Sequence, residues 1–152
     1  SGIVVKGIND MAVRFSKCCN PVPGDEIVGF VTRGRGMSIH RTDCVNVINL
    51  SAAERSRLIT AEWEDPGDTE EGGQYLAELK LYADDRRGLL LDITKVFTEE
   101  KIDVKSMNTR TSKKGTATMD MGFIVHGREE LNRVIKKLRQ IENVIDIERT
   151  TG

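Results

Sequence analysis

Aromatic residues make up only 5% of the 152 positions, so a core must be built mostly from Val, Ile, Leu and Met. No apolar run approaches the roughly 20 residues that a membrane-spanning helix requires. The opening Ser1-Gly2-Ile3-Val4-Val5-Lys6 lacks both the apolar stretch and the small-residue cleavage site of an export signal, and a cytoplasmic protein is expected. An initiator methionine is also missing, as expected of a piece cut from a longer chain. Cysteines number three, an odd count, and Cys18 and Cys19 are adjacent. That is a poor disulfide framework and favours reduced thiols. What the chain does have is 38% hydrophobic and 31% charged residues, a balance that suits a folded, soluble protein. The net charge of −1 conceals segregation: 14–41 holds Arg14, Lys17, Arg33, Arg35 and Arg41 against Asp25 and Glu26, whereas 65–74 carries four acids and no base. A local basic patch is compatible with nucleic acid, although the whole-chain charge does not demand it.

The stretch 65–74, Asp-Pro-Gly-Asp-Thr-Glu-Glu-Gly-Gly-Gln, combines turn formers with like charges and has no apolar anchor. It reads as a linker between modules at 1–64 and 75–152, or as a long surface hairpin within one domain. Beyond it, Tyr75 to Ala83 alternates as a strand, and Leu90, Ile93, Val96 and Phe97 fall at helical spacing. Ile102–Lys113 and Ala117–His126 flank a Lys-Lys-Gly-Thr turn as a hairpin. Leu131, Val134, Ile135 and Leu138 share a second helix face, and Val144 to Ile147 forms a closing strand. The order βαββαβ is the ferredoxin-like arrangement, a sheet with two helices on one face. The first module reads as a small α+β unit. Strands are expected at Ile27–Thr32, Met37–His40 and Ile59–Glu64, with a helix from Thr42 (its N-cap) to Leu50 that 51–58 either continues or follows with another.

Cys18, Cys19, His40 and Cys44 are the chemistry-bearing residues of that unit. Three thiols and an imidazole form a complete tetrahedral Cys3His set. The spacing of His40 and Cys44 puts both on one face of a helical turn. Neighbouring cysteines point apart in a strand, so Cys18 and Cys19 reach one ion only from a distorted loop, which Asn20-Pro21-Val22-Pro23-Gly24 can supply. Asp43 is a reserve oxygen ligand. The competing reading makes the cysteines small buried hydrophobes and His40 a hydrogen-bonded strand end. Thiol catalysis has neither an orienting partner nor an oxyanion loop to support it. The run Arg33-Gly34-Arg35-Gly36 lacks the Gly-Lys-Ser/Thr ending of a phosphate loop. Its two arginines suit either an RNA backbone or a solvated hairpin turn.

The segment 14–25, Arg-Phe-Ser-Lys-Cys-Cys-Asn-Pro-Val-Pro-Gly-Asp, followed by 27–36 and by Ile39-His40-Arg41-Thr42-Asp43-Cys44, resembles the conserved-cysteine (zinc-finger) module of long RelA/SpoT proteins. Residues 75–152 resemble the ACT domain that ends them. The resemblance implies the C-terminal regulatory part of an enzyme that makes (p)ppGpp from ATP and GDP or GTP, and often hydrolyses it. The catalytic domains are not in this chain, and no catalytic residue is expected here. It further implies control of the stringent response through the ribosome and uncharged tRNA, and restraint of the parent's catalytic half. Zinc would sit on Cys18, Cys19, His40 and Cys44, and ribosomal RNA against Arg14, Lys17, Arg33, Arg35 and Arg41. The ACT half would form a homodimer and take an amino acid, a branched-chain one by family precedent, around Asp85, Gly88, Leu89 and Asn108. The alternative from a different class is a stand-alone, amino-acid-responsive ACT dimerisation protein.

Overall fold

The computed structural model describes residues 2–5, 11–34, 36–64 and 73–151. Its first module comprises β1 (Ile3–Val5), β2 (Val13–Phe15), β3 (Ile27–Thr32), β4 (Gly36–Arg41), α1 (Val45–Ile48), α2 (Ala52–Arg55), β5 (Leu58–Ile59) and β6 (Ala61–Trp63). The β3–β4 hairpin is the spine of a sheet ordered β2-β4-β3-β5, in which β2 lies parallel to β4. β1 and β6 form a separate antiparallel pair. Met37 and Ile39 are fully buried on one face of β4, packed with Val13, Phe15, Val31 and Ile59. The opposite face turns Ser38 and His40 toward the cysteines. Gly36 opens β4 at φ +81°, and a Cβ there would run into the Ala12 carbonyl oxygen, so only glycine fits.

The second module comprises β7 (Tyr75–Asp84), α3 (Leu89–Glu99), β8 (Val104–Thr111), β9 (Thr116–Val125), α4 (Arg128–Arg139) and β10 (Val144–Arg149). Its antiparallel sheet is ordered β10-β7-β9-β8, the ferredoxin-like arrangement expected from the sequence. Alternation along β7 and β9 buries Ala77, Leu79, Leu81, Met119, Met121 and Phe123. Ile93 and Phe97 of α3 and Leu131, Val134 and Leu138 of α4 cover them, with the Phe97 and Phe123 rings 4.9 Å apart. Each such side chain contributes on the order of 1.5–3 kcal/mol through burial.

Several local expectations change. The helix anticipated from Thr42 is a single turn over Val45–Ile48, with Cys44 rather than Thr42 at the N-cap position. A separate turn follows under a complete Ser51–Glu54 capping box. The strand anticipated at Ile59–Glu64 divides at Thr60, because β5 pairs with β3 whereas β6 pairs with β1. The strands β1 and β2 were not anticipated. Residues 65–72 of the expected linker lie outside the described residues.

The two modules share a packed joint. Phe15 and Trp63 stack with centroids 5.6 Å apart, and Tyr75 meets both edge-on. Val22, completely buried, belongs to the core of the second module. The Arg128 amide donates to the Pro23 carbonyl at 2.7 Å, and the Val45 amide to the Thr151 carbonyl at 2.7 Å.

Candidate metal centre

After β2 the chain turns through Ser16–Asn20. The Asn20 amide donates to the Ser16 carbonyl at 3.0 Å, and Asn20 itself adopts φ +48°. This tight turn removes the strand geometry that would point Cys18 and Cys19 apart, and their sulfurs lie 4.0 Å from each other. β4 delivers His40, and the turn beyond it delivers Cys44 at the start of α1. His40 and Cys44 therefore converge from a strand end and a helix cap, not from one helical face. Cys18 Sγ lies 3.5 Å from Cys44 Sγ and 3.4 Å from His40 Nδ1, and Cys19 Sγ lies 3.8 Å from the same nitrogen. All four donor atoms fall within 4.8 Å of one another.

These spacings can be tested against an ion. A tetrahedral zinc with bonds of about 2.3 Å to sulfur and about 2.0 Å to nitrogen needs S···S edges of about 3.8 Å and S···N edges of about 3.5 Å. The observed separations bracket those edges. A disulfide would need sulfurs about 2.05 Å apart, and all three thiols are free. The residues present fit a thiophilic dication. Bound there, zinc would supply a closed structural cross-link between the β2–β3 loop and the β4–α1 turn, with no position left open for chemistry.

The surroundings favour that use. Burial lowers the His40 pKa, keeping the imidazole neutral with a lone pair to give. With Nδ1 toward the thiols, Nε2 faces Ser16 Oγ at 3.0 Å and Ser38 Oγ at 3.5 Å, so donation to Ser16 fixes the ring. Burial works the other way on Cys19 and Cys44, whose thiols it raises, so a bound dication would have to offset the cost of the thiolates. The Arg41 amide donates to Cys19 Sγ at 3.3 Å. Ser16 and Ser38 went unnoticed in the sequence. For Ser38, the signal was its position two residues before His40 on one strand face.

The other anticipated residues divide. Asp43 is no ligand: its carboxylate takes both arms of the Arg41 guanidinium, at 2.9 and 2.6 Å, an interaction that holds its pKa below the ordinary value. That pairing also removes Arg41 from any RNA-facing surface. Arg41 is 5% exposed, and its Nη1 donates to the Cys19 and Thr150 carbonyls. Arg14, Lys17 and Arg33 are exposed, and Arg35 lies outside the described residues.

In the second module, a groove of about 500 Å³ is lined by Asp85, Gly88, Leu89, Leu90, Thr109 and Met119, among others. Gly88, at φ +81°, begins α3 beside it. Leu89 contributes little, since its side chain is buried and its amide points to the Arg86 carbonyl at 3.4 Å. Asn108 is absent from the lining. It pairs with Asp120, and strand alternation places it on the sheet face opposite Thr109 and the helices.

Known families agree with this architecture. Residues 3–64 match the RelA/SpoT RIS domain, and residues 71–149 match the ACT domain. The chain belongs to the RelA/SpoT family and corresponds to its C-terminal regulatory region. Its relatives include the GTP pyrophosphokinase of Streptomyces coelicolor, 40% identical over 99% of this chain and 17% of that protein. The GTP pyrophosphokinase of Escherichia coli K12 is 39% identical over 99% of this chain and 20% of its own length. The chain thus spans a fifth or less of either relative. Among solved structures, the ACT domain from GTP pyrophosphokinase of Chlorobium tepidum is 23% identical, covering 51% of this chain and 99% of that one with a TM-score of 0.47. No described helix is long and apolar enough to cross a membrane.

Proposed function

We propose that this chain is a regulatory, non-catalytic part of a GTP pyrophosphokinase, acting in the cytoplasmic stringent response, and that Cys18, Cys19, His40 and Cys44 hold a structural zinc ion. The observation that carries the reading is the convergence of three sulfurs and a neutral imidazole nitrogen within 4.8 Å. An ion there ties together the two loops that flank the β3–β4 hairpin, which also presents Arg33. Arg14, Lys17 and Arg33, with Arg35 beside them in sequence, are assigned to the phosphate backbone of ribosomal RNA. In the full-length protein that contact reports uncharged tRNA on the ribosome to the synthetase and hydrolase domains. The groove beside Gly88 is assigned to an amino acid, branched-chain by preference, because Leu90, Leu91 and Met119 give it apolar walls and its rim carries Asp85 and Arg86. The ACT half pairs with a second copy.

The test is made in the full-length parent. Cys44→Ser should lose zinc and ribosome-stimulated (p)ppGpp synthesis while basal synthesis persists. Retained zinc and unchanged stimulation would remove the proposal.

A further inference from the structure

A groove of about 930 Å³ lies between α4 and the free edge of β10, away from the Gly88 loop, with Arg41 and Asp43 at its end nearest the cysteines. Its α4 wall is one helical stripe, Arg128, Asn132, Lys136 and Arg139, at the three- and four-residue spacing that aligns side chains on one face. Arg149 faces them from β10, while Lys80, on the sheet face away from α4 and 3.8 Å from Asp120, lies at the groove's edge. Of the acids in the lining, Asp43 is neutralised by Arg41, whereas Glu148 accepts only the neutral Tyr82 hydroxyl, at 2.7 Å, from the sheet face away from α4. The cations are less well matched. Lys136 has no ion-pair partner among the described residues, and Arg139 reaches only the Ile147 carbonyl, at 3.5 Å. Arg128 lies 4.0 Å from Asp25, whose carboxylate Arg149 already takes at 2.7 and 2.9 Å.

An extended peptide cannot use this edge. The Ile147 amide is bonded to Asp146 Oδ1 at 2.8 Å and its carbonyl is met by Arg139. The Thr150 and Thr151 carbonyls accept from Arg41 and from the Val45 amide. With these groups occupied, strand addition finds no continuous ladder. What remains is a concavity of small-molecule size in which Lys136 and Arg139 have no carboxylate partner among the described residues and Arg128 shares Asp25 with Arg149. One carboxylate would leave most of them unmatched, whereas guanidinium forks fit phosphate oxygens in pairs.

We infer that the α4–β10 groove binds a compact polyphosphate, a di- or triphosphate group, either free or carried by a nucleotide. The inference requires neither the zinc nor the ribosome reading. Titration calorimetry of the chain at low salt tests it, with inorganic triphosphate, GTP and a short single-stranded RNA as separate probes. Triphosphate should bind saturably with one site per chain. Lys136→Ala combined with Arg139→Ala should weaken it by about tenfold or more. Lys136→Glu alone, on an exposed side chain, should act in the same direction. Lys113→Ala with Lys114→Ala, on the β8–β9 turn, should leave binding unchanged. Equal affinity for GTP and triphosphate assigns recognition to the phosphates alone, and tighter GTP binding makes the nucleotide the source. The inference is overturned by binding of RNA only, by no binding of either phosphate at millimolar concentration, or by equal affinity in wild type and both Lys136 variants.

Discussion

The Asp25 carboxylate accepts both arms of the Arg149 guanidinium, at 2.7 and 2.9 Å, and so joins two modules across 124 residues of sequence. Asp25 Oδ2 also accepts the Val22 amide, and its carbonyl accepts the Trp63 indole N–H at 3.0 Å. Both side chains are largely buried, at 14% and 4% exposure. Removing one partner of such a pair leaves an unmatched charge at a cost of about 3 kcal/mol or more. Arg149→Ala should therefore lower stability by that order. Chemical denaturation followed through Trp63, the only tryptophan, would show an unshifted midpoint if the pair were idle.

For the metal centre, the purified chain should carry one zinc per molecule, and either Cys44→Ser or His40→Ala should abolish it. Ser16→Ala keeps all four ligands but removes the hydrogen bond to His40 Nε2, and loss of such a contact lowers metal affinity roughly 10- to 100-fold. Competition with a chromogenic chelator measures this. A Ser16→Ala chain that holds zinc as tightly as wild type would show that the serine does not orient the ring.

Only two tyrosines are present, and both pKa values are raised: Tyr75 by burial, Tyr82 by its hydrogen bond to Glu148 and the charge of that carboxylate. A raised folded-state pKa means that the fold favours the neutral phenol. That contribution is complete below the unfolded value of about 10 and is lost as pH rises through the folded value. Phenolate absorbance should thus appear at higher pH in the native chain than in urea-unfolded chain. Coincident curves would refute the shift.

Arg33 and the buried Arg41 should behave differently. Arg33→Ala with Arg35→Ala in the full-length parent should weaken ribosome binding and reduce its salt dependence by up to about two counterions, with thermal stability unchanged. Arg41→Ala should destabilise the chain instead, because it vacates the Cys19 and Thr150 carbonyls and frees Asp43. Loss of ribosome affinity in a fully stable Arg41→Ala protein would contradict that division.

Leu90 and Leu91 are 48% and 71% exposed beside the Gly88 groove. If the ACT halves associate there, Leu91→Asp should shift the chain toward monomer in sedimentation across a concentration series while leaving its melting unchanged. An unaltered mass distribution would place the contact elsewhere.

Long, half-buried elements were readable from the sequence. β9 sets Ala117, Met119, Met121, Phe123 and Val125 at period two, and α4 repeats its apolar positions through three turns. β1 and β2 were not readable: each has three residues, too few for a period, and each finds its partner far along the chain. The four metal-binding candidates were visible because Cys and His are rare in this sequence. Ser16 was hidden because serine is common. Arg41 misled because its local charge looks like that of Arg33, and only the ring of acceptors closing around it distinguishes them. Asn108 misled for a simpler reason, since the strand face it occupies depends on a register that spacing alone does not fix.

Val22 follows Cys19 by three residues, yet it is completely enclosed among the apolar side chains of the ACT module. The loop that carries two sulfurs is therefore also a plug in its neighbour's interior. Family boundaries divide the chain in two, but heat should not: neither half can open without uncovering the other, and calorimetry should record a single cooperative transition. Any strain that reaches the cysteine loop, from a partner or from loss of an ion, has a direct mechanical route into the second module's core.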